Sequence, residues 1–399
     1  MWEWEAKAAS RENLSGRDGL CMVFAGLVGL TMGAARRRPS MAVALASGAV
    51  GLTLSALATR LTRHLSAHGR KVVTFETCDV FSSTAFGGNP LAVVFGAEAL
   101  TDDELQRIAA EFGYSETTFV MPPEKASSTA RVRIFTPTAE LPFAGHPNVG
   151  TAAVLARRGK AFGKPVGSEV RFEEGAGVVP LDIICEDGVT VGATLTAPEA
   201  FRIVGPPPPL TAVAAAIGVG EDEIVTTNHL PMVGTVGLQF LLVELSSLEA
   251  LGRSRGLPAP FTELTSLMQP GQVAPAGGRL LAYVRTPSSA DAASTRIAIR
   301  ARMHRANGTE DPGTGSANCA LIGLLASLSR DGPAAVTEAV SVSATILQGV
   351  EMGRPSVLLA SADRLPGDAA GAAAGFAPVG RVRIGGHVAS VSRGELVCV

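Results

Sequence analysis

ELPFAGHPNVGTAAVLA, residues Glu140 to Ala156, and EDPGTGSANCALIGLLA, residues Glu310 to Ala326, decide how this chain is read. Both open on an acidic residue and a proline turn, pass through closely spaced glycines, and end in an apolar run fit for a helix. Gly145 and Gly315 have access to backbone geometries closed to other residues and let a ligand approach closely. The first helical turn after each offers unpaired N–H groups that favour an anion. Two such entrances predict two similar halves holding one acidic ligand between them.

Upstream, KVVTFETCDVF (Lys71 to Phe81) is rich in β-branched and aromatic residues and reads as a strand. FGGNPLAVVFG is a tight turn followed by an apolar run. TDDELQRIAAEFG (Thr101 to Gly113) reads as a helix, with Thr101 and Glu104 as a capping box and Gly113 as its stop. YSETTFVMPP returns to strand character, with Glu116 at its start. That glutamate is either an exposed edge carboxylate or a cleft carboxylate whose pKa desolvation raises. ARVRIF alternates apolar and basic residues, as a half-buried strand does, and leads into AGHPNVG. His146 stands at the helix mouth, as a core histidine or as a proton-handling group. The helix itself is expected over Thr151 to Arg158, ended by Gly159.

IVGPPPPL (Ile203 to Leu210) is a stiff connector and the clearest domain boundary. Strand candidates near residues 280 to 304 feed the second entrance as ARVRIF feeds the first. Asp311 either caps backbone N–H groups or handles a ligand or proton. Ser316 is either a helix cap or, with Thr314 and Gly315, an anion binder. Arg354 is a turn arginine or a bidentate holder of a carboxylate. GRVRIGGHVASVSRGELVCV closes the chain and reads as two strands against the second half. GTGS lacks the lysine of a phosphate loop, and no GxGxxG follows a strand, so neither nucleotide motif is present.

Composition narrows the function. The 399 residues are 46% hydrophobic and 18% charged, with a formal net charge of -2. Such a balance offers no field for nucleic acid. Five scattered cysteines form no CxxC and no cluster with histidine, so no metal site is expected and a reducing, cytoplasmic compartment fits. Residues 1–70 stand apart. The uncharged runs Gly19–Ala35 and Met41–Thr59 allow membrane contact through residues 19–59, an organelle-targeting segment, or an extension that never packs on the rest.

DVFSSTAFGGNPLAVVF, SETTFV, FTPTAELPFAGHPNVGTA, EDPGTGSANCALIGLLA, QGVEMGRPS and RIGGHVASV, in that order over about residues 72 to 395, resemble the phenazine-biosynthesis PhzF-like isomerase family. The resemblance implies an α/β (α+β) fold of two pseudo-symmetric halves of the diaminopimelate-epimerase type. Each would be a curved, mostly antiparallel sheet around a central helix, here residues 71–203 and 211–399. It implies a homodimer and no cofactor or metal. Catalysis would fall to Glu116, Asp311 and His146, with Gly145, Thr314, Gly315 and Ser316 binding a small carboxylate-bearing metabolite. The related epimerases place a cysteine in each half where this chain has Gly145 and Gly315, which argues against cysteine-based racemization. Cys319 reads as a packed residue. Gly313 and the pair Met303–His304 depart from the phenazine enzymes' pattern. The expected activity is a cofactor-independent isomerase moving a proton between carbons. An epimerase of a small acid and a non-catalytic metabolite-binding protein are the alternatives.

Overall fold

A computed structural model describes residues 71–268, 278–287, 296–328, 339–366 and 376–398. Residues 1–70, with the membrane and targeting readings attached to them, lie outside the described residues. Lys71–Val399 forms one compact unit.

Its first strands are β1 (Lys71–Val80), β2 (Asn89–Phe95), β3 (Glu116–Met121), β4 (Ala130–Phe135) and β5 (Glu140–Leu141), with helix α1 (Asp102–Phe112) after β2. Helix α2 (Gly145–Arg158) leads to β6 (Lys160–Ala161), β7 (Lys164–Pro165), β8 (Glu169–Glu174), β9 (Gly177–Glu186), β10 (Val189–Thr196) and β11 (Arg202–Ile203). Then come α3 (Leu210–Ile217), β12 (Met232–Thr235), β13 (Gln239–Glu244), α4 (Leu248–Arg253), α5 (Pro258–Leu267), β14 (Arg279–Thr286), β15 (Ile297–Arg305) and β16 (Glu310–Asp311). Helix α6 (Gly315–Ser327) and strands β17 (Val340–Gln348), β18 (Ser356–Arg364) and β19 (Val379–Cys398) complete the order.

The pairings β1–β2–β3–β4–β8–β9–β10–β19–β1 close a ring, parallel at β2–β3 and β4–β8 and antiparallel elsewhere. This corrects the expected simple curved sheet: it is a barrel, and α2 packs inside it. The closing wall is β19. Expected as two strands against the second half, it is one 20-residue strand that pairs first with β18 and then with β10 and β1. Closure pairs every strand of the ring on both sides. Gly150 lets α2 lie this close, since a Cβ there would meet Leu91 Cδ2 at 2.5 Å and Val80 Cγ2 at 2.7 Å.

A second ladder, β11–β12–β13–β14–β15–β17–β18–β19, packs against α6. Its pairings repeat those of the first. β13–β14 is parallel, β14–β15 antiparallel, β15–β17 parallel and β17–β18 antiparallel, as are β2–β3, β3–β4, β4–β8 and β8–β9. One apolar core surrounds both helices, from Val80, Phe172 and Leu155 through to Leu321, Ile346 and Ile384. Each such fully buried side chain contributes about 1.5–3 kcal/mol of burial free energy.

Local signals behave as expected at α1, where Thr101 and Glu104 form the capping box and Gly113 takes φ 62°. Helix α2 begins six residues before the expected Thr151, at Gly145. Pro147 falls in its first turn, where the missing N–H has no intrahelical partner to lose. Two glycines and a proline look like a turn in sequence, and burial inside the barrel makes them helix.

Candidate active site

The acidic residue that opens each entrance is a brace. Arg133 of β4 grips Glu140 of β5 with two bonds of 2.7 Å, Nε to Oε1 and Nη2 to Oε2. Arg302 of β15 grips Glu310 of β16 in the same two-pronged way, through Nε at 3.1 Å and through Nη2. Two-pronged pairs fix geometry as well as adding energy. They hold the hairpins that deliver the chain to α2 and α6.

The two helix N-termini meet. A Cβ on Gly145 would lie 3.4 Å from Ser316 N, and one on Gly315 would lie 3.7 Å from Gly145 Cα and from His146 N. Each N-terminus carries a partial positive charge, so two that face each other favour an anion beside them.

Around this junction the structure gathers Glu116, His146 and Asp311. Glu116 starts β3, and its Oε2 lies 3.5 Å from His146 Nε2, with both side chains largely buried. Asn89, fully buried, sends its Nδ2 to His146 Nδ1 at 3.3 Å, to Asp311 Oδ1 at 3.1 Å and to the Gly313 carbonyl at 3.1 Å. The Thr314 hydroxyl donates to Asp311 Oδ2, and Arg305 Nη2 stands 3.6 Å from Asp311 Oδ1. Gln348 binds Asp311 O at 2.7 Å and Thr314 Oγ1 at 3.1 Å through its Nε2.

Electrostatics separates the roles. Burial, and then the Asp311 charge, push the Glu116 carboxyl up to about 8, against the Arg305 guanidinium. Burial pushes His146 down to about 4, with Asp311 opposing. The 3.5 Å approach therefore joins a neutral imidazole to a largely protonated carboxyl near neutral pH, and is not an ion pair. An acid poised near 8 can both give and take a proton at physiological pH.

Several assignments change. Ser316 is the second residue of α6, with Thr314 at the cap position, so it is not the helix cap. The Asp311 carboxylate takes side-chain donors, from Asn89 and Thr314. Arg354 does hold a carboxylate, but that of Asp79, while Nε and Nη2 also donate to the Gly88 and Gly87 carbonyls at 2.9 and 2.8 Å. It fixes the loop that presents Asn89. Cys319 is buried against the core, its thiol pushed up to about 12 by burial. Asn89, Gln348 and Arg305 were missed from sequence: GGNP reads as a tight turn, and no local signal marks Gln348 or Arg305. Asn148 and Asn318 were also missed, although each stands three residues after its entrance glycine, a visible repeat. Among the described residues, no cluster of three or more His, Cys, Asp or Glu side chains is placed to hold a metal ion.

The sequence profile of phenazine biosynthesis-like proteins matches residues 78–394. An uncharacterized isomerase of Mesorhizobium japonicum is 34% identical over 320 residues, covering 80% of this chain and 96% of its own. A trans-2,3-dihydro-3-hydroxyanthranilate isomerase of Pseudomonas chlororaphis is 31% identical over 289 residues, covering 71% and 88%. Among solved structures, a Bacillus anthracis phenazine biosynthesis protein of the PhzF family superposes with TM-score 0.64 at 21% identity, covering 82% of this chain and 99% of its own. A predicted epimerase of Pseudomonas aeruginosa superposes with TM-score 0.56 at 28% identity, covering 81% and 98%.

Proposed function

The chain belongs to the phenazine biosynthesis-like protein family, and from that premise we propose a cofactor-independent isomerase in which Glu116 moves a proton between carbons of a small acidic metabolite. In this reading Glu116 takes an acidic C–H proton in its ionised form and returns it at another carbon of the conjugated system. Asp311 and neutral His146 hold the substrate's polar groups. The N–H groups at Gly145, Gly315 and Ser316, with the Ser316 hydroxyl, bind its carboxylate and stabilise the enolate-like charge that develops, while Thr314 supports the site by donating its hydroxyl to Asp311. We read residues 71–203 and 211–399 as two pseudo-symmetric halves, on the repeated strand pairings, with the site at their junction.

The observation that carries the reading is one carboxyl raised to about 8, beside His146, where the two helix entrances abut. Glu116→Gln tests it in the full chain. The assay is solvent-deuterium incorporation, position by position, over a panel of small unsaturated and amino acids headed by trans-2,3-dihydro-3-hydroxyanthranilate. Exchange in the wild type and none in the variant is expected. Undiminished exchange in the variant would sink the assignment. The likeness to a predicted epimerase favours one second reading, proton return to the same carbon on its other face. Deuterium at the original carbon, with inversion, would mark it.

A further inference from the structure

Glu174 and Gln348 occupy matching places. Ala130 pairs with Phe172 and Arg131 with Glu173 in one ladder, as Ile299 pairs with Ile346 and Arg300 with Leu347 in the other. The next residue is Glu174 in β8 and Gln348 in β17. Each is followed by a glycine pressed on an entrance proline: a Cβ on Gly175 would lie 3.0 Å from Pro142 Cα, and one on Gly349 would lie 3.0 Å from Pro312 Cα. Each adjoins an asparagine on the first helical turn. Asn148 Nδ2 donates to Ala144 O at 3.0 Å, and Asn318 Nδ2 to Thr314 O at 2.9 Å.

Gln348 works as a clamp. Its Nε2 donates to Asp311 O and Thr314 Oγ1, while its Oε1 accepts from Asn318 Nδ2 at 2.7 Å and from Thr314 N at 3.3 Å. Glu174 has no N–H to offer. Among the described residues, both its carboxyl oxygens are buried without a hydrogen-bond partner, and so is Asn148 Oδ1. The Asn148 amide is close enough to favour the charged form of Glu174, yet its donated bond goes to Ala144. A lone buried carboxylate is costly, whereas a carboxylic acid supplies the donor a glutamine would. In this chain the carbonyl matching Asp311 O is that of Leu141.

The charged groups around Glu174 do not relieve it. Glu174 borders a cleft of about 610 Å³ that Glu124, Lys125, Arg131, Arg133, Glu140 and Glu173 also line, with its carboxyl oxygens turned away from solvent. Across the hairpin β9 presents Gly177 and Val178, and α2 presents Asn148 with His146 just before it. Burial pushes this carboxyl up to about 8, with the Asn148 amide opposing.

We propose that Glu174 stands in the native protein as a neutral carboxylic acid, a positioning residue that holds the α2 entrance as Gln348 holds the α6 entrance, and that losing its proton to solvent loosens Gly145 and His146. The functional weight of that entrance rests on the isomerase reading, but the test below needs no turnover. In the Glu116→Gln background only Glu174 of this pair titrates. The Gly145, His146 and Asn148 amide resonances should then move with one alkaline midpoint. Adding Glu174→Gln should abolish the movement and keep the fold, whereas Glu174→Ala should lower the thermal midpoint at every pH. Comparing single variants, Glu174→Gln should match the wild type in thermal midpoint near pH 4.5 and exceed it at pH 9. A Glu174 carboxyl carbon that titrates in the ordinary carboxylate range would overturn the proposal. So would amide shifts that persist in the double variant, or a Gln variant as weakened as the Ala one. Absence of proton exchange in the wild type would count against the isomerase reading alone.

Discussion

Raising the pH from 6 to 9 should switch the proposed proton exchange on, and Glu116 sets where. Burial and the Asp311 charge lift its carboxyl to about 8, so ionised Glu116 is a minority form at pH 6 and gains as the pH rises. If that carboxylate is the base, kcat/KM should climb about tenfold per pH unit up to roughly pH 7.5 and level off beyond 8. Glu116→Gln should cost about 10²–10⁴-fold at the plateau. Asp311→Asn should shift the limb toward acid, because the Asp311 charge raises Glu116. Burial is the larger cause, so the limb should stop short of the ordinary 4.5. Stability gives an independent check. The neutral acid's contribution is whole below 4.5 and is lost progressively as pH rises toward 8, a few kcal/mol in all. Glu116→Gln should therefore overtake the wild type in calorimetric midpoint at pH 9 while matching it at pH 4.5. The assay is deuterium uptake by mass spectrometry on the substrate that the panel identifies. A limb near pH 4.5, or a Gln variant whose stability tracks the wild type at every pH, would refute the reasoning.

Four other outcomes follow from the geometry. Asn89→Ala strips donors from His146, Asp311 and the Gly313 carbonyl, and should cost about 1–3 kcal/mol in urea denaturation along with most of the exchange. Arg354→Met leaves buried Asp79 without its cation and should lower stability by about 2–3 kcal/mol, read by the same denaturation. Gly150→Ala puts a methyl 2.5 Å from Leu91 Cδ2, and overpacking of about 1–3 kcal/mol should appear as a lower thermal midpoint. His146 should drive loss of stability in acid. Its pKa falls from 6.5 to about 4 on folding, so its contribution is whole above 6.5 and is lost as pH drops toward 4, and His146→Gln should flatten that limb of the melting profile.

Much of the site is legible in the chain before it folds. Spacing alone marks Glu140 and Glu310, each five residues before a glycine that opens a helix. Composition marks α1 and its caps. The order of motifs marks the family and, through it, Glu116, His146 and Asp311. These signals are local: a cap, a turn or a helix mouth needs only neighbours within a few residues. Other facts depend on residues far apart in sequence. Asn89 and Asp311 are 222 positions apart, and nothing near GGNP announces that its amide will reach Asp311. That β19 closes the barrel depends on pairing with both β1 and β10. Whether Glu116 is an edge carboxylate or a poised acid depends on burial and on the Asp311 charge, both set by packing across the junction. A residue's type and spacing fix what it can do, and the dielectric and neighbours that folding brings to it decide its charge and its role.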